Sequence, residues 1–562
     1  MEKRAIIAFA LTLLVFVFWE YQFGLYRTVE QVPPTHDSAT TTVAPSTPPA
    51  PATPPGVPAL PPDLQALPKD RPANLDQKLP SWVVEAPLYR TQIVAPGARI
   101  NSFQLKKFRQ AVDPDSPPME MIPTRASGYL PLAVDLLGHQ DWRLSTIPFS
   151  SEAPTHLKLE PDQPARTVSY QAEVEGQVRV TKVFTFMPES YVMDVEVRID
   201  NISQQPLTDQ AGISFFFQPY TTVAEESSYN VSQFSHYEKG EGTILTWDDL
   251  QKKEKEIVLK APVDWAGYEN NYFIQAIMPL EESGYQIIPR ILDPEKRFLQ
   301  VVYLTDPFLL GGGQSKSIKM RVYIGSKELN QLDKAGHNLS KAVDYGWFTF
   351  LAKPLLHVLN WVYKYVHNYG VAIILLTIFI KLVFWPLTQK SYESMQKMKK
   401  IQPKIAQVRE KYKDDREKLN QELMALYKTY KVNPMGGCLP MVLQIPVFFA
   451  LYRMLNGAVE LRHEPFIWWI NDLTAPDRLN IGFNLPYLGG LPVLTLLMGA
   501  SMFIQQKMTP TGGDPRQEQI MLLMPVVFTV FFINFPSGLV LYWLVNNVLS
   551  IAQQYWINRR AA

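Results

Sequence analysis

The sequence predicts a membrane α-helical bundle of six spans with a large all-β domain inserted between the first and second. Three observations predict it: an apolar run behind Lys3-Arg4, a middle region of short alternating runs divided by Pro, Gly and Asp, and five long apolar segments in the C-terminal half. At 562 residues the chain exceeds one ordinary core. A net charge of +1 gives no whole-chain attraction to a polyanion, so no nucleic-acid binding is expected. Cys438 is the single cysteine, which excludes an intrachain disulfide framework; a small buried apolar residue is its ordinary reading.

Residues 1–27 read as a signal-anchor helix. The run Ala5 to Trp19 continues past Glu20 and Gln22 to Tyr26, long enough to span roughly 30 Å of hydrocarbon. No small-x-small cleavage site follows, and Lys3 and Arg4 hold the N-terminus in the cytoplasm. Residues 28–62 are a linker: eleven prolines between 31 and 62 remove backbone donors and fix φ, so the stretch joins neither sheet nor long helix.

Residues 63–340 form the β domain. Tyr191 to Ile199 alternates almost strictly, with odd positions apolar and Asp194, Glu196 and Arg198 facing water. Tyr272–Met278, Phe298–Thr305 and Met320–Ile324 read as further strands, and many strands with few helical periods imply an antiparallel sandwich. Following the first span, this domain lies outside the cytoplasm. Residues 341–367 switch to helical spacing: Trp347, Phe348, Leu351, Leu355, Val358, Leu359, Val362 and Tyr363 form the apolar side of an amphipathic helix on the outer membrane surface.

Residues 368–557 hold the remaining spans, at Val371–Leu387 and about 438–455, 485–504, 520–535 and 538–557. The connection from Lys390 to Pro434 carries twelve Lys/Arg against six Asp/Glu, which places it in the cytoplasm with Lys507, Arg516 and the short tail 558–562. Within it, residues 391–432 read as a helical hairpin. Met395, Met398, Ile401, Ile405 and Val408 mark one arm and Leu419, Leu423, Leu426 and Tyr430 the other, with Asp414-Asp415 as turn and N-cap. A solvated coiled coil and a partner-docking surface both fit this hairpin.

Catalytic signatures are missing: the chain has no HExxH, GxSxG, CxxC or Walker-type GK[ST] string. Gly311-Gly312-Gly313 reads as a hairpin turn, and His139, His156 and His236 lack metal-ligand spacing. No enzymatic chemistry, metal or cofactor is expected. The residue that carries most information is Lys381 inside the second span. A charge at the bilayer centre costs roughly 3 kcal/mol or more, so it faces a wet cavity or a partner unless it snorkels. Thr377 sits one turn before it. Gln444 on another span, and Asn546 or Asn547, Ser550 and Gln553 or Gln554 below Tyr542-Trp543 on the last, add polar groups, and none of the five C-terminal spans carries an acidic residue. Interhelical hydrogen bonding explains any one of these; a shared hydrated, positive cavity explains them together.

Three strings then match a family: Lys399-Lys-Ile-Gln-Pro403-Lys404, Val432-Asn-Pro434-Met-Gly-Gly-Cys438-Leu-Pro440, and Phe535-Pro-Ser-Gly538-Leu-Val-Leu-Tyr542-Trp543. From about Tyr345 to Trp556 the chain resembles the YidC-type membrane protein insertases, relatives of the mitochondrial Oxa-type and chloroplast Alb-type proteins. The linker and β domain resemble the Gram-negative members, which extends the likeness over essentially the whole chain. The resemblance implies a periplasmic β-supersandwich related to sugar mutarotases, a bacterial inner-membrane location with both termini cytoplasmic, and five core helices around a groove open to cytoplasm and lipid. It assigns the groove's basic residue, often arginine in the family, to Lys381, which keeps the charge without the guanidinium fork. It assigns the hairpin string to Lys399, Lys400, Pro403 and Lys404. It maps an apolar slide onto Met441–Leu455 and Ile520–Phe532, with Met441, Val447, Phe448, Leu451, Leu523, Val527, Phe528 and Phe531 along it.

The expected function is insertion and folding of nascent integral membrane proteins in the lipid bilayer, alone or with the Sec translocon. The chain stops at Arg559-Arg560-Ala561-Ala562 without a long basic tail, so ribosome binding through such a tail is not expected. Two rivals have other signatures. A solute transporter or channel predicts inverted repeats or broken helices, and a membrane-tethered sugar-active enzyme predicts a convergent His/carboxylate pocket in the β domain.

Overall fold

The computed structural model describes residues 80–220, 230–253, 257–413, 415–430, 432, 439–483, 488–508 and 515–561. The signal anchor 1–27, the linker 28–62, residues 63–79, Asp414 and 433–438 with Cys438 lie outside the described residues.

The middle region is built of sheets. An eight-stranded sheet runs Glu241–Leu245, Gln233–Glu238, Trp265–Glu269, Phe273–Pro279, Ser315–Ser326, Val192–Asn201, Val178–Phe186, Arg166–Val174. A five-stranded sheet runs Leu259–Lys260, Tyr285–Asp293, Phe298–Thr305, Ala211–Phe217, Ala133–Leu136. Another runs Pro118–Glu120, Arg99–Arg109, Tyr89–Val94, Ser81–Glu85, His156–Lys158, and its last pair is parallel where the other pairs in these sheets are antiparallel. The alternation read from the sequence holds: Val195, Val197 and Ile199 are buried while Asp194 and Glu196 are half-buried and Arg198 is exposed. Phe298–Thr305 is a strand with those bounds, and the other two lie within Phe273–Pro279 and Ser315–Ser326, apart from Tyr272.

The smaller sheets pack on the eight-stranded one. Trp82 meets Tyr170 edge-on at 4.8 Å, and Phe217 stacks on Tyr268 at 5.5 Å. Gln275 donates to the Met121 carbonyl at 2.5 Å, and buried Lys182 donates to the carbonyls of Gly97 and Leu132 at 2.5 Å each. These polar ties inside an apolar core satisfy groups whose burial unpaired would cost a few kcal/mol. Gly311–Gly313 is the turn expected of it: Gln314 donates back to the Gly311 carbonyl at 3.0 Å, and Gly313 takes φ 76°.

Seven helices of the C-terminal half are named here α1 (Thr349–Val366), α2 (Tyr369–Lys411), α3 (Arg416–Thr429), α4 (Leu439–Gly457), α5 (Val493–Met508), α6 (Pro515–Phe532) and α7 (Ser537–Ala561). α1 buries Ala352, Leu355, Leu356 and Leu359 and exposes Phe350, Trp361 and Tyr365, the two-faced pattern of a surface helix. α2 is one helix of 43 residues, about 65 Å long. It runs without a break from the second span, Val371–Leu387, into the first arm of the hairpin 391–432. Pro386 and Pro403 lie inside it, because a proline forfeits one ladder bond without ending a helix that neighbours hold on both sides. α5 begins at Val493, eight residues inside the apolar segment 485–504. Gly489, Gly490 and Pro492 interrupt that segment, and Leu479 pairs with Leu491 in an extended bridge. Among the described residues, α2 is the helix both long and apolar enough to cross a membrane, and Met521–Phe532 is a shorter apolar run within α6.

The β domain meets the helices through named contacts. Arg462, just beyond α4, donates to the carbonyls of Arg109 at 2.7 Å and Gln110 at 3.1 Å and lies 5.2 Å from the Phe273 ring centre. Asn271 donates to the Asn456 carbonyl at 3.4 Å. Both contacts lie at the C-terminal end of α4.

Candidate functional site

Lys381 lies in α2, twelve residues beyond Tyr369, or about 18 Å along the axis. It is 5% exposed, and its Nζ donates to Ser550 Oγ of α7 at 2.5 Å. Ser550 in turn donates to the Asn546 carbonyl at 2.7 Å, so one hydroxyl links the ammonium to the α7 backbone. An ammonium has three donors, and among the described residues no carboxylate pairs with this one.

The same seam continues toward the end away from the β domain. Gln553 and Thr388 exchange hydrogen bonds at 3.0 and 3.2 Å, and Gln396 donates to Asn558 at 2.7 Å. A cleft of about 190 Å³ opens beside the seam, with Lys381 and Gln553 as the polar side chains of a mainly apolar lining. It is lined by Ile378, Lys381, Leu382 and Trp385 of α2 and by Leu549, Ala552, Gln553 and Trp556 of α7. Each set repeats at i, i+3, i+4 and i+7, so the cleft runs between two helix faces.

The other face of α7 turns to α5. Asn547 donates to Ser501 Oγ at 3.0 Å, and Gln554 donates to the Met508 carbonyl at 2.8 Å. Asn547 and Gln554 are thus interhelical ties to α5, on the face next to the one where Ser550 and Gln553 share the Lys381 seam. Thr377 is on Lys381's buried face, but its hydroxyl donates to Ile373 of its own helix at 2.6 Å. Gln444 is half-buried in α4.

Tyr542 and Trp543 stand elsewhere. Tyr542 is buried, and Trp543 closes an aromatic cluster with Phe448 at 4.7 Å, Phe532 at 4.9 Å and Phe528 at 6.1 Å. Of the slide residues, Val447 and Leu451 are packed inside, while Leu523, Val527 and Phe531 lie on an exposed apolar face of α6 with Val526 and Val530. Met441 is in the first turn of α4. Lys399, Lys400, Pro403 and Lys404 are on the hairpin arm of α2. There Ile401 and Ile405 pack with Val432, Leu423, Leu426 and Tyr427, and Lys404 Nζ bonds Tyr430 Oη and lies 4.6 Å from its ring centre.

Sequence reasoning missed Thr388, Ser501, Trp385 and Trp556. Thr388 had a signal, since 377, 381 and 388 share one helical face; the two tryptophans become partners only when α2 and α7 lie side by side, with rings 6.1 Å apart. It also missed a His–carboxylate pair in the β domain, His139 Nδ1 to Asp209 at 2.6 Å. That carboxylate accepts the amides of Gly138 and Gln210 at 2.8 and 2.7 Å, which makes it a backbone clamp.

Residues 81–358 match the family model described as the YidC periplasmic domain, and residues 361–562 match that of the 60Kd inner membrane protein. The membrane protein insertase YidC of Syntrophobacter fumaroxidans is 65% identical over 561 residues, covering 100% of both chains. Its counterpart in Syntrophus aciditrophicus is 39% identical over 568 residues, again covering 100% of both. That of Nitratidesulfovibrio vulgaris (strain DP4) is 40% identical over 568 residues with the same coverage. The chain belongs to the YidC family of membrane protein insertases.

Proposed function

We propose that this protein inserts nascent integral membrane proteins into the bilayer and helps them fold, using a positive, partly hydrated seam and no cofactor. The observation that carries the reading is Lys381, an ammonium inside the span Val371–Leu387 and about 9 Å from its cytoplasmic end, held by a serine hydroxyl and bordering an open cleft. A client's short polar segment entering bare hydrocarbon leaves its polar groups unpaired at several kcal/mol each. Beside Lys381 and Gln553 those groups find donors, and an acidic segment also finds a positive charge. The client's apolar segment then leaves along the exposed face of α6 through Leu523, Val527 and Phe531 and enters lipid under its own hydrophobicity.

The same reading places the protein in the bacterial inner membrane, with six spans, the β domain in the periplasm, and both termini and the hairpin in the cytoplasm. The alternating directions of α2, α4, α5, α6 and α7 relative to the β domain support that path. It leaves the Sec translocon as a partner. The test is insertion of a small single-span protein into liposomes containing only the purified protein. Protease-protected, correctly oriented client well above that in empty liposomes is expected; insertion no better than in empty liposomes would contradict the assignment.

A further inference from the structure

Between α4 and α5 the chain turns through Phe466-Ile-Trp-Trp-Ile470, and Trp468 at its tip is 82% exposed with Ile467 at 44%. The turn is closed by Phe466 N–H donating to the Ile470 carbonyl at 2.9 Å and Ile470 N–H to the Ile467 carbonyl at 3.2 Å. Trp468 has φ 54°, a left-handed conformation that costs a bulky residue about 1 kcal/mol or more and persists only where neighbours impose it.

The neighbours are three helix N-termini. Asn368, the N-cap of α2, donates to the Phe466 carbonyl at 3.0 Å, and the Phe466 ring fills the space where a Cβ on Gly370 would stand. Trp469 Nε1 donates to buried Asp477 at 2.6 Å, whose other oxygen accepts Thr495 N–H of α5 at 3.1 Å. Ser537 and Gly538 at the start of α7 donate to the Ala475 and Leu473 carbonyls at 2.8 and 2.9 Å. Trp469 is thereby held by its indole N–H, and the exposed Trp468 ring stacks on it at 5.8 Å, on a mount tied to the ends of core helices. Residues Pro465 to Asn471 carry no charge, and among the described residues the Trp468 indole N–H meets no protein acceptor.

We propose that this turn is a lipid anchor: Trp468 and Ile467 enter the headgroup–acyl boundary of the leaflet on the β-domain side and fix the depth at which the core sits. An indole suits that boundary because its ring is apolar while its N–H finds glycerol and phosphate oxygens. The rigid mount makes depth the controlled variable, since Lys381 lies on the same helix whose first turn holds Phe466. The strained backbone keeps the wedge aimed at the membrane.

The test uses full-length protein carrying Cys438→Ser and Ile467→Cys, labelled with a small fluorophore and reconstituted into phosphatidylcholine vesicles with nitroxide lipids. Leu309→Cys, 47% exposed at Leu309 on the β domain, supplies the aqueous reference. Nitroxide lipid is expected to quench the label at 467 several-fold more than at 309, with aqueous iodide showing the reverse order. Adding Trp468→Ala should shift the label at 467 toward iodide. Iodide quenching at 467 equal to that at 309 would overturn the proposal. So would shielding from iodide without lipid quenching, which would mean that protein covers the turn. Lipid quenching unchanged by Trp468→Ala would remove Trp468 from the anchor.

Discussion

Lys381 meets its hydroxyl partner across a helix pair, and that geometry separates charge from architecture. Thr388 and Gln553 hold the same helix pair without any charge. Thr388→Val strips Gln553 of its partner and should lower stability by about 0.6–2 kcal/mol, while leaving the preference for acidic clients unchanged. Denaturation in mixed micelles reads the first and client insertion the second; a changed client preference would show that Thr388 belongs to the groove chemistry. Lys381 and Ser550 could be singled out in the sequence because a polar residue in a span is conspicuous. Their pairing could not, because it depends on how α7 is rotated. One face of α7 offers Ser550 and Gln553 to α2 and the next offers Asn547 and Gln554 to α5, at positions adjacent in sequence.

The hairpin of α2 and α3 shows what a helical period reveals and where it stops. Asp415 caps α3 as its position suggested, accepting Lys418 N–H at 3.0 Å, and Ile401 and Ile405 face the second arm. The continuity of α2 through Pro386 was not legible, because a proline marks a probable helix end and only packing decides whether it becomes a kink. Ile405 is 1% exposed. Ile405→Ala should destabilise the hairpin by about 2–5 kcal/mol, read as faster amide exchange throughout α3 with α7 unaffected. Asp415→Ala should cost about 1 kcal/mol and act mainly on the first turn of α3. Unaltered exchange in Ile405→Ala would mean that the arms separate freely in solution.

At the scale of the molecule, the strands were legible from alternation, but their docking on the core was not. Arg462 is one polar residue in a connection that carries several, and its carbonyl partners at Arg109 and Gln110 are more than 350 residues away. Glu460 lies in that junction with Asn360 donating to it at 3.3 Å. Burial, and then the neighbouring Glu328, hold its carboxyl above the ordinary value of 4.5. The folded state therefore binds this proton more tightly than the unfolded state. The junction is penalised at pH above the raised value, and the penalty falls away as pH drops through it toward 4.5. Glu460→Gln should raise thermal stability near pH 8 and have little effect near pH 5; an equal effect at both would contradict the burial argument. The cleft is lined wholly by α2 and α7. Removal of residues 63–330 should therefore leave most insertion activity in protein of equal abundance.

The central claim is that the charge of Lys381 acts on clients, and the most direct measurement is in-vitro insertion of paired single-span clients with acidic and neutral translocated segments. Lys381→Leu removes the cost of a charge in the membrane, so snorkelling alone predicts a protein at least as stable and equally active on both clients. The groove account predicts that Lys381→Arg retains activity and that Lys381→Leu loses the acidic client far more than the neutral one, because the attraction is long-ranged in a partly hydrated cleft. Equal insertion of both clients by Lys381→Leu and the parent protein would contradict it.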